Sequence, residues 1–257
     1  MCRPVSIFEN SYISGVIGSF IASFLTIGVL EFYKYYKRKI QHSKFRKIFG
    51  SYSSDKLNLV LPALRVRQDI IDRLRTLNFP DADFPLIKLG GAHIRTSKLL
   101  AYNDTTSLKY LLDIISGTLG DKSLVTTDED LSNHLDLSFI SFGGTSFYCS
   151  YVLNEPENKY YNFDGNDIVS KSDTSKRFTN GNGFDYGFII KYKHVNFPKR
   201  IWIVIAGLGE TGTSGAGWYL ARHWEELSDL FQENAFGIVI KVKNGVDESA
   251  IKVDQII

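Results

Sequence analysis

Two glycine-rich segments carry the residues of this sequence that are best suited to binding chemistry. Each follows an apolar run typical of a buried strand and precedes a helical pattern. A strand that ends in small residues and opens a helix directs backbone N–H groups and the positive helix end at one point, which suits an anion or a phosphate. The ligand-binding candidates are Gly143, Gly144, Thr145 and Ser146 in the first segment and Gly209, Thr211, Gly212, Thr213 and Ser214 in the second.

The second segment satisfies neither of two familiar glycine fingerprints completely. Gly207, Gly209 and Gly212 fit G-x-G-x-x-G, but no acidic residue ends a following strand about 20 residues on, as dinucleotide binding requires. Neither segment has the Gly-Lys pair of a Walker A loop. The small residues could also serve tight turns and close packing alone. The segments therefore predict either a small-ligand site or close-packed turns.

The elements around these segments predict an α/β fold, a sandwich around one mixed sheet. The polar stretch from 165 to 185 is predicted to be a long loop between antiparallel strands. If the strands over 135–142 and 200–206 are parallel neighbours, the two glycine segments meet across one crevice at their carboxyl ends. Strands are predicted over 57–66, 135–142, 160–164, 186–195, 200–206 and 236–245, and helices over 69–77, 104–115, 147–154 and 218–231.

A strand, SFGGTSF, a second strand and IAGLGETGTSGAGWYLA follow one another behind an apolar N-terminal segment. This order resembles Rossmann-like domains of membrane-tethered prokaryotic sensor or effector proteins, including some from nucleotide-signalled defence systems. The resemblance covers roughly residues 135 to 225. It implies a Rossmann-like domain that binds a nucleotide or a nucleotide derivative in signalling.

A second resemblance points to an enzyme. DLSFISFGG, residues 136–144, resembles the opening strand of TIR domains, and HWEEL, residues 223–227, resembles the helix that holds their catalytic glutamate. This implies NAD hydrolysis, with Glu226 acting at the ribosyl centre of NAD. The chain departs from that family because its Trp-to-Glu spacing is shorter and its middle is rich in β pattern. A TIR-like NAD hydrolase is therefore the alternative function.

An unbroken run of 20 uncharged residues from Ser11 to Leu30 predicts a single transmembrane helix, because about 20 helical residues cross the bilayer hydrocarbon. Arg3 precedes the run, whereas Lys and Arg are dense after it, so the N-terminus is predicted outside and the bulk of the chain in the cytoplasm. The predicted organisation is an extracytoplasmic N-terminus over 1–10, a transmembrane helix over 11–31, a basic juxtamembrane segment over 32–49 and a cytoplasmic α/β domain over 50–257.

Small residues recur every fourth position along one face of this run. Such faces let helix backbones approach closely, and they predict a homo-oligomer, although many similar faces never dimerise. The residues of this small-residue face are Gly15, Gly18, Ser19, Ala22, Ser23 and Thr26.

Charge is distributed unevenly behind a net charge of +2. Residues 1 to 49 hold 8 of the 30 Lys and Arg residues and 2 of the 28 Asp and Glu residues, so the remainder carries an acidic excess of 4. Nucleic acid binding by the globular part is therefore disfavoured, since phosphate contacts need a basic face. The basic segment is predicted to contact anionic lipid headgroups of the bilayer.

Other reactive side chains give weaker signals. Five scattered histidines lack metal-ligand spacing, so no metal site is predicted, and no cofactor is identified. Ser146 and Ser214 depart from the nucleophile-elbow pattern, although Ser214 with His223 and Glu225 outlines a serine hydrolase. Three functions remain: a ligand-binding sensor or effector, a TIR-like NAD hydrolase, and a membrane scaffold without a ligand.

Overall fold

A computed structural model describes residues 11–50, 52, 55–63, 86–89, 92–95, 100–131 and 134–257, and the helix predicted over 69–77 lies outside them. The helices are α1 Ser11–Phe49, α2 Tyr102–Leu119, α3 Phe147–Asn154 and α4 Glu210–Phe231, with a 3-10 turn at Gly120–Lys122. The strands are β1 Leu57–Leu61, β2 Leu86–Leu89, β3 Ala92–Arg95, β4 Ser123–Thr127, β5 Ser138–Phe142, β6 Tyr161–Asp164, β7 Asp167–Ser170, β8 Arg177–Thr179, β9 Phe184–Tyr192, β10 Trp202–Gly207, β11 Phe236–Lys243 and β12 Val246–Ile256.

Seven strands form one mixed sheet in the order β12-β11-β9-β10-β5-β1-β4, which confirms the predicted α/β class. Strands β4, β1, β5 and β10 run parallel to one another, and β9, β11 and β12 continue the sheet with antiparallel pairs. Every residue of β1 and β5 is buried. This burial on both faces explains why the central strands are so apolar in sequence.

The two faces of the sheet are covered by different elements. Helices α2 and α4 and the end of α1 pack on one face. Helix α3 and a small antiparallel sheet of β6, β7 and β8 pack on the other. The chain therefore has two apolar cores, one on each side of the central sheet.

Helix α1 joins the first of these cores through its last turns. Phe45, Ile48 and Phe49 are at most 1% exposed, and the Phe45 and Phe49 rings lie 6.0 and 6.4 Å from the ring of Trp224. Further towards the N-terminus, the described side chains of α1 are exposed up to residue 40. No helix within the described residues is long and apolar enough to cross a membrane.

A buried lysine in β9 secures the end of α1. Lys191 is 1% exposed, and its ammonium group donates to the carbonyl oxygens of Lys47 in α1 and of Glu233, which follows α4. Burial lowers the pKa of Lys191 to about 8. The carbonyl groups near a helix C-terminus attract a cation, so this contact stabilises α1 and α4 against the same strand.

Two sequence predictions about elements are wrong. Helix α4 begins at Glu210, not at Trp218, so most of the second glycine segment is helical. The stretch from 165 to 185 is not a long loop, since it forms β7 and β8, and β6 pairs with β7. The edge strand β12 is also absent from the predicted elements; five of its eleven residues are exposed and one is buried, so its sequence lacks the apolar run of a buried strand.

The glycines of α4 permit close contacts with neighbouring elements. A Cβ atom at Gly212 would lie 2.3 Å from the carbonyl oxygen of Tyr186, and one at Gly217 would lie 2.0 Å from Ser107 Oγ. Glycine has low helix propensity, but these contacts require the absence of a side chain. Close packing of α4 against its neighbours therefore explains why this helix contains the glycine-rich sequence that is typical of a loop.

Gly217→Ala should destabilise the fold by about 1–3 kcal/mol, because the new methyl group overlaps Ser107 between α2 and α4. Gly117→Ala is the matched control, since a Cβ atom there meets no atom within 4 Å. That change should stabilise the chain by up to about 1 kcal/mol through helix propensity. Urea unfolding measures both values, and equal effects of the two substitutions would contradict the packing argument.

Candidate functional site

The two glycine segments lie at the same edge of the central sheet. Strands β5 and β10 are parallel neighbours, with Phe142 paired to Ile205 at their carboxyl ends, as the crevice prediction required. A cavity of about 510 Å³ opens between the segments. Its described lining residues are Gly144, Thr145, Phe163, Gly165, Asn166, Thr179, Asn180, Gly207 and Leu208.

The described lining residues of this cavity are uncharged, and Phe163 is the aromatic residue among them. Phe163 packs against Phe188, with ring centroids 5.1 Å apart. Thr145 and Asn166 are exposed, and neither side chain forms a hydrogen bond with a described residue. The cavity therefore offers a hydroxyl, an amide and the edge or face of a ring to a ligand.

The first segment turns sharply into this cavity. Gly143 has a φ of +82°, and its N–H donates to Ile205 O at 2.9 Å. The N–H groups of Gly144 and Thr145 donate to no acceptor in the described part of the chain. Ser146 is fully buried and its Oγ accepts a hydrogen bond from Ser141 Oγ at 2.7 Å. Gly144 and Thr145 therefore face the cavity, whereas Ser146 supports the turn.

The start of α4 binds a carboxylate of the chain itself. Asp185, which is 3% exposed, accepts hydrogen bonds from the N–H groups of Gly209 at 3.1 Å, Thr211 at 3.0 Å and Gly212 at 2.7 Å. The anion-binding chemistry predicted for this segment is present, and Asp185 supplies the anion. A ligand role for Gly209, Thr211 and Gly212 stays a prediction, and an external anion would have to displace Asp185.

The helix that follows the first segment is capped in the same way. Asp128 is 9% exposed, and its Oδ2 accepts a hydrogen bond from Phe147 N–H at the start of α3, at 3.1 Å. Its Oδ1 accepts one from Ala63 N–H at 3.0 Å. Both helix N-termini beside the cavity are therefore neutralised by internal aspartates, which favours uncharged groups in a ligand.

Thr213 and Ser214 lie inside the fold and not among the residues that line the cavity. Thr213 is 4% exposed and Ser214 is 2% exposed. Ser214 Oγ donates to Asp247 Oδ1 at 2.7 Å, and Tyr110 Oη donates to Asp247 Oδ2 at 2.9 Å. These contacts connect α4, α2 and the start of β12. The structure thus gives Ser214 a structural hydrogen bond and does not pair it with a histidine.

Asp104 is a buried carboxyl beside the first segment, and it is not among the candidates predicted from the sequence. It is 6% exposed in the first turn of α2, and a Cβ atom at Gly143 would lie 2.3 Å from its Oδ2. No described residue donates a hydrogen bond to it, and burial raises its pKa to about 6. An aspartate at a helix start is typical of a cap, but the cap residue here is Ala101. No sequence pattern therefore signals this environment.

Glu226 lies apart from the glycine segments. Its side chain is 64% exposed, and one carboxylate oxygen lies 3.0 Å from His223 Nδ1. At 1.5 Å per residue, it is about 24 Å along the axis of α4 from the first residue of that helix. The structure does not bring Glu226 together with the cavity, and its catalytic role stays a prediction.

Comparison of the chain with protein-family models, with curated proteins and with solved structures gives no match. The two family resemblances therefore stay predictions. The features of the described residues that bear on function are the cavity, the groups that line it and the helix that continues from the domain into the apolar N-terminal run.

Asp185→Ala should lower the free energy of unfolding by about 2–3 kcal/mol, because three backbone donors lose a charged acceptor. Asp185→Asn should cost less, since an amide oxygen can still accept. Inorganic phosphate should raise the Tm of Asp185→Ala more than that of the native chain, because the start of α4 is then free. Unchanged stability in Asp185→Ala would contradict this account.

The raised pKa of Asp104 predicts a pH-dependent loss of stability. The folded chain holds this proton up to about pH 6, whereas the unfolded carboxyl releases it near pH 3.9, so stability falls as pH rises between these values. Asp104→Asn stays neutral, and its stability relative to the native chain should rise by up to about 3 kcal/mol across this window. Urea unfolding at about pH 4 and about pH 7 measures the difference. Asp113→Asn, at an exposed site on the same helix, should show no such trend.

Proposed function

We propose that this chain is a membrane-anchored sensor or effector whose Rossmann-like cytoplasmic domain binds the nucleoside part of a nucleotide or nucleotide derivative. The observation that carries this proposal is the cavity of about 510 Å³ at the carboxyl ends of β5 and β10. Its volume is within the range of small-molecule pockets. Ligands of open α/β sheets bind at this edge of the strands.

The lining favours the nucleoside over the phosphate groups. The Phe163 ring can pack against a base or a sugar, and the free amide of Asn166 can both donate and accept a hydrogen bond. None of the described lining residues carries a charge. Asp128 and Asp185 already bind the adjacent helix ends, so phosphate groups would extend towards solvent or towards the free N–H groups of Gly144 and Thr145.

The membrane anchor is supported by the apolar run and by the exposure of its side chains. Phe24, Leu25 and Val29 are 73%, 65% and 66% exposed on α1. Ser23 Oγ and Thr26 Oγ1 donate to carbonyl oxygens four residues back, at 2.9 and 2.8 Å. Hydroxyls satisfied within a helix suit an apolar solvent, where an unpaired donor is costly. The basic flank favours a cytoplasmic position for the domain.

Helix α1 provides the connection between the ligand site and the anchor. It is continuous from Ser11 to Phe49, and its last turns are part of the domain core. A ligand-induced change in the domain would reach the apolar run without passing through a flexible linker. Self-association through the small-residue face would then be the output of ligand binding.

A thermal-shift screen of the full chain in mild detergent tests the ligand class with nucleosides, nucleotides, cyclic nucleotides and NAD. Thr145→Val and Asn166→Ala should each weaken the binding of a stabilising compound by about two- to tenfold, the value of one neutral hydrogen bond. Asn234→Ala removes an exposed amide outside the cavity lining and should have no effect. If none of these compounds stabilises a folded native chain, the proposal is wrong.

The same preparation distinguishes the proposed sensor or effector from the alternative, an NAD hydrolase. Glu226→Gln should leave ligand stabilisation unchanged, because Glu226 is exposed and distant from the cavity. Product analysis with NAD accompanies this measurement. NAD turnover by the native chain that disappears in Glu226→Gln would favour the enzyme.

A further inference from the structure

We infer that a second site, beside the C-terminal end of α1, binds the phosphate group of a small anionic compound. A cavity of about 200 Å³ lies where the end of α1, the end of α2 and the 3-10 turn meet. Three basic side chains line it, from His42, Arg46 and Lys122, and none of its described lining residues is acidic. Among the described residues, this cavity shares no lining residue with the cavity between the glycine segments.

Arg46 is a basic residue of this cavity whose guanidinium group is available to bind an anion. Its guanidinium group forms no ion pair or hydrogen bond within the described ranges. Two neighbouring lysines of α1 are engaged, since Lys44 pairs with Asp229 and Lys47 donates to Gln232. The exposed, uncommitted Arg46 therefore differs from the cations beside it on the same helix.

Lys122 brings a second donor to the same cavity from a different element. Its Nζ donates to the carbonyl oxygen of Tyr52 at 3.0 Å, which positions the ammonium group and leaves further hydrogens for a ligand. The buried rings of Phe45 and Tyr52 form part of the wall. A low-dielectric wall on one side strengthens the attraction between these cations and an anion.

Basic residues near helix C-termini also have a simpler role, because they offset the negative end of the helix dipole. That effect accounts for Arg46 at the end of α1 and for Lys122 after α2. It does not account for the convergence of Arg46 and Lys122, two cations from different elements, on one cavity, where like charges repel each other. A bound anion removes this repulsion and satisfies the donors together.

The size and the donors of the cavity indicate a phosphate group. At about 30 Å³ per water, 200 Å³ equals the volume of about six or seven waters, which suits a phosphate and the first atoms of its ester. An arginine fork matches two phosphate oxygens, and a lysine adds a point charge. A ligand held by Arg46 and Lys122 would bridge α1 to the end of α2.

The position of the cavity favours a soluble compound over a lipid headgroup. If the proposed span ends at residue 31, His42 lies about 16 Å further along the helix axis. Each headgroup layer extends only about 5–8 Å beyond the hydrocarbon. The choice of a soluble compound over a lipid headgroup rests on the proposed membrane anchor. The anion site itself does not rest on it.

Calorimetric titration of the full chain in mild detergent with inorganic pyrophosphate, at constant ionic strength, tests the site. Arg46→Gln and Lys122→Gln should each weaken binding about tenfold or more, since hydrogen bonds to charged groups contribute about 1.5–3 kcal/mol. Lys109→Gln, at an exposed position of α2 that does not line the cavity, should leave it unchanged. Thr145→Val and Asn166→Ala should also leave it unchanged, which separates this site from the nucleoside site.

A second titration compares short-chain phosphatidylserine with short-chain phosphatidylcholine. Saturable binding of phosphatidylserine that requires Arg46 and Lys122, without binding of pyrophosphate, would identify the anion as a lipid headgroup. The proposal is overturned if neither anion binds to the folded native chain. It is also overturned if both anions bind to Arg46→Gln and to Lys122→Gln as tightly as they bind to the native chain.

Discussion

The contact of the Asp185 carboxylate with the start of α4 determines the geometry of the candidate site. Asp185 begins the inward-facing part of β9, and its oxygens bind the N–H groups of Gly209, Thr211 and Gly212 as well as its own neighbour Tyr186. A carboxylate that is 3% exposed needs such donors, because burying an unpaired charge is costly. The contact therefore fixes α4 relative to β9 and β10, and the turn between β10 and α4 forms one wall of the cavity.

This internal anion also shapes the chemistry of the site. In many phosphate-binding folds, a helix N-terminus faces the ligand with free N–H groups. Here Asp185 and Asp128 occupy the starts of α4 and α3, so the positive ends of two helices are balanced before a ligand arrives. The described lining residues then present a neutral surface with a hydroxyl, an amide and a ring. The distribution of charge thus distinguishes a neutral site at the carboxyl ends of β5 and β10 from the basic cavity at the C-terminal end of α1.

The α/β class could be predicted, because apolar runs of this length that end in glycines are typical of buried parallel strands. The adjacency of the strands over 135–142 and 200–206 was a condition of the crevice prediction, and it is established by the pairing of β5 with β10 in the structure. The start of α4 could not be predicted, because Gly and Thr have low helix propensity and the composition is explained by close contacts with Tyr186, Val242 and Ser107 that exist only in the fold. Asp185 lies in a polar stretch, far in sequence from the N–H groups that it caps. Its partner is defined only when β9 and α4 come together in the fold.

Lys191 and the core contacts of α1 set the angular position of that helix as well as its attachment. Successive residues of an α-helix turn by about 100°, so the direction in which the small-residue face points follows from how Ile48 and Phe49 are seated in the core. In a continuous helix, one residue added or removed between residues 27 and 44 would rotate the small-residue face by about 100° relative to the domain core. The sequences of the face and of the core contacts would both stay unchanged. The length of the exposed stretch therefore determines an orientation, and the proposed self-association would occur only in the register that this length allows.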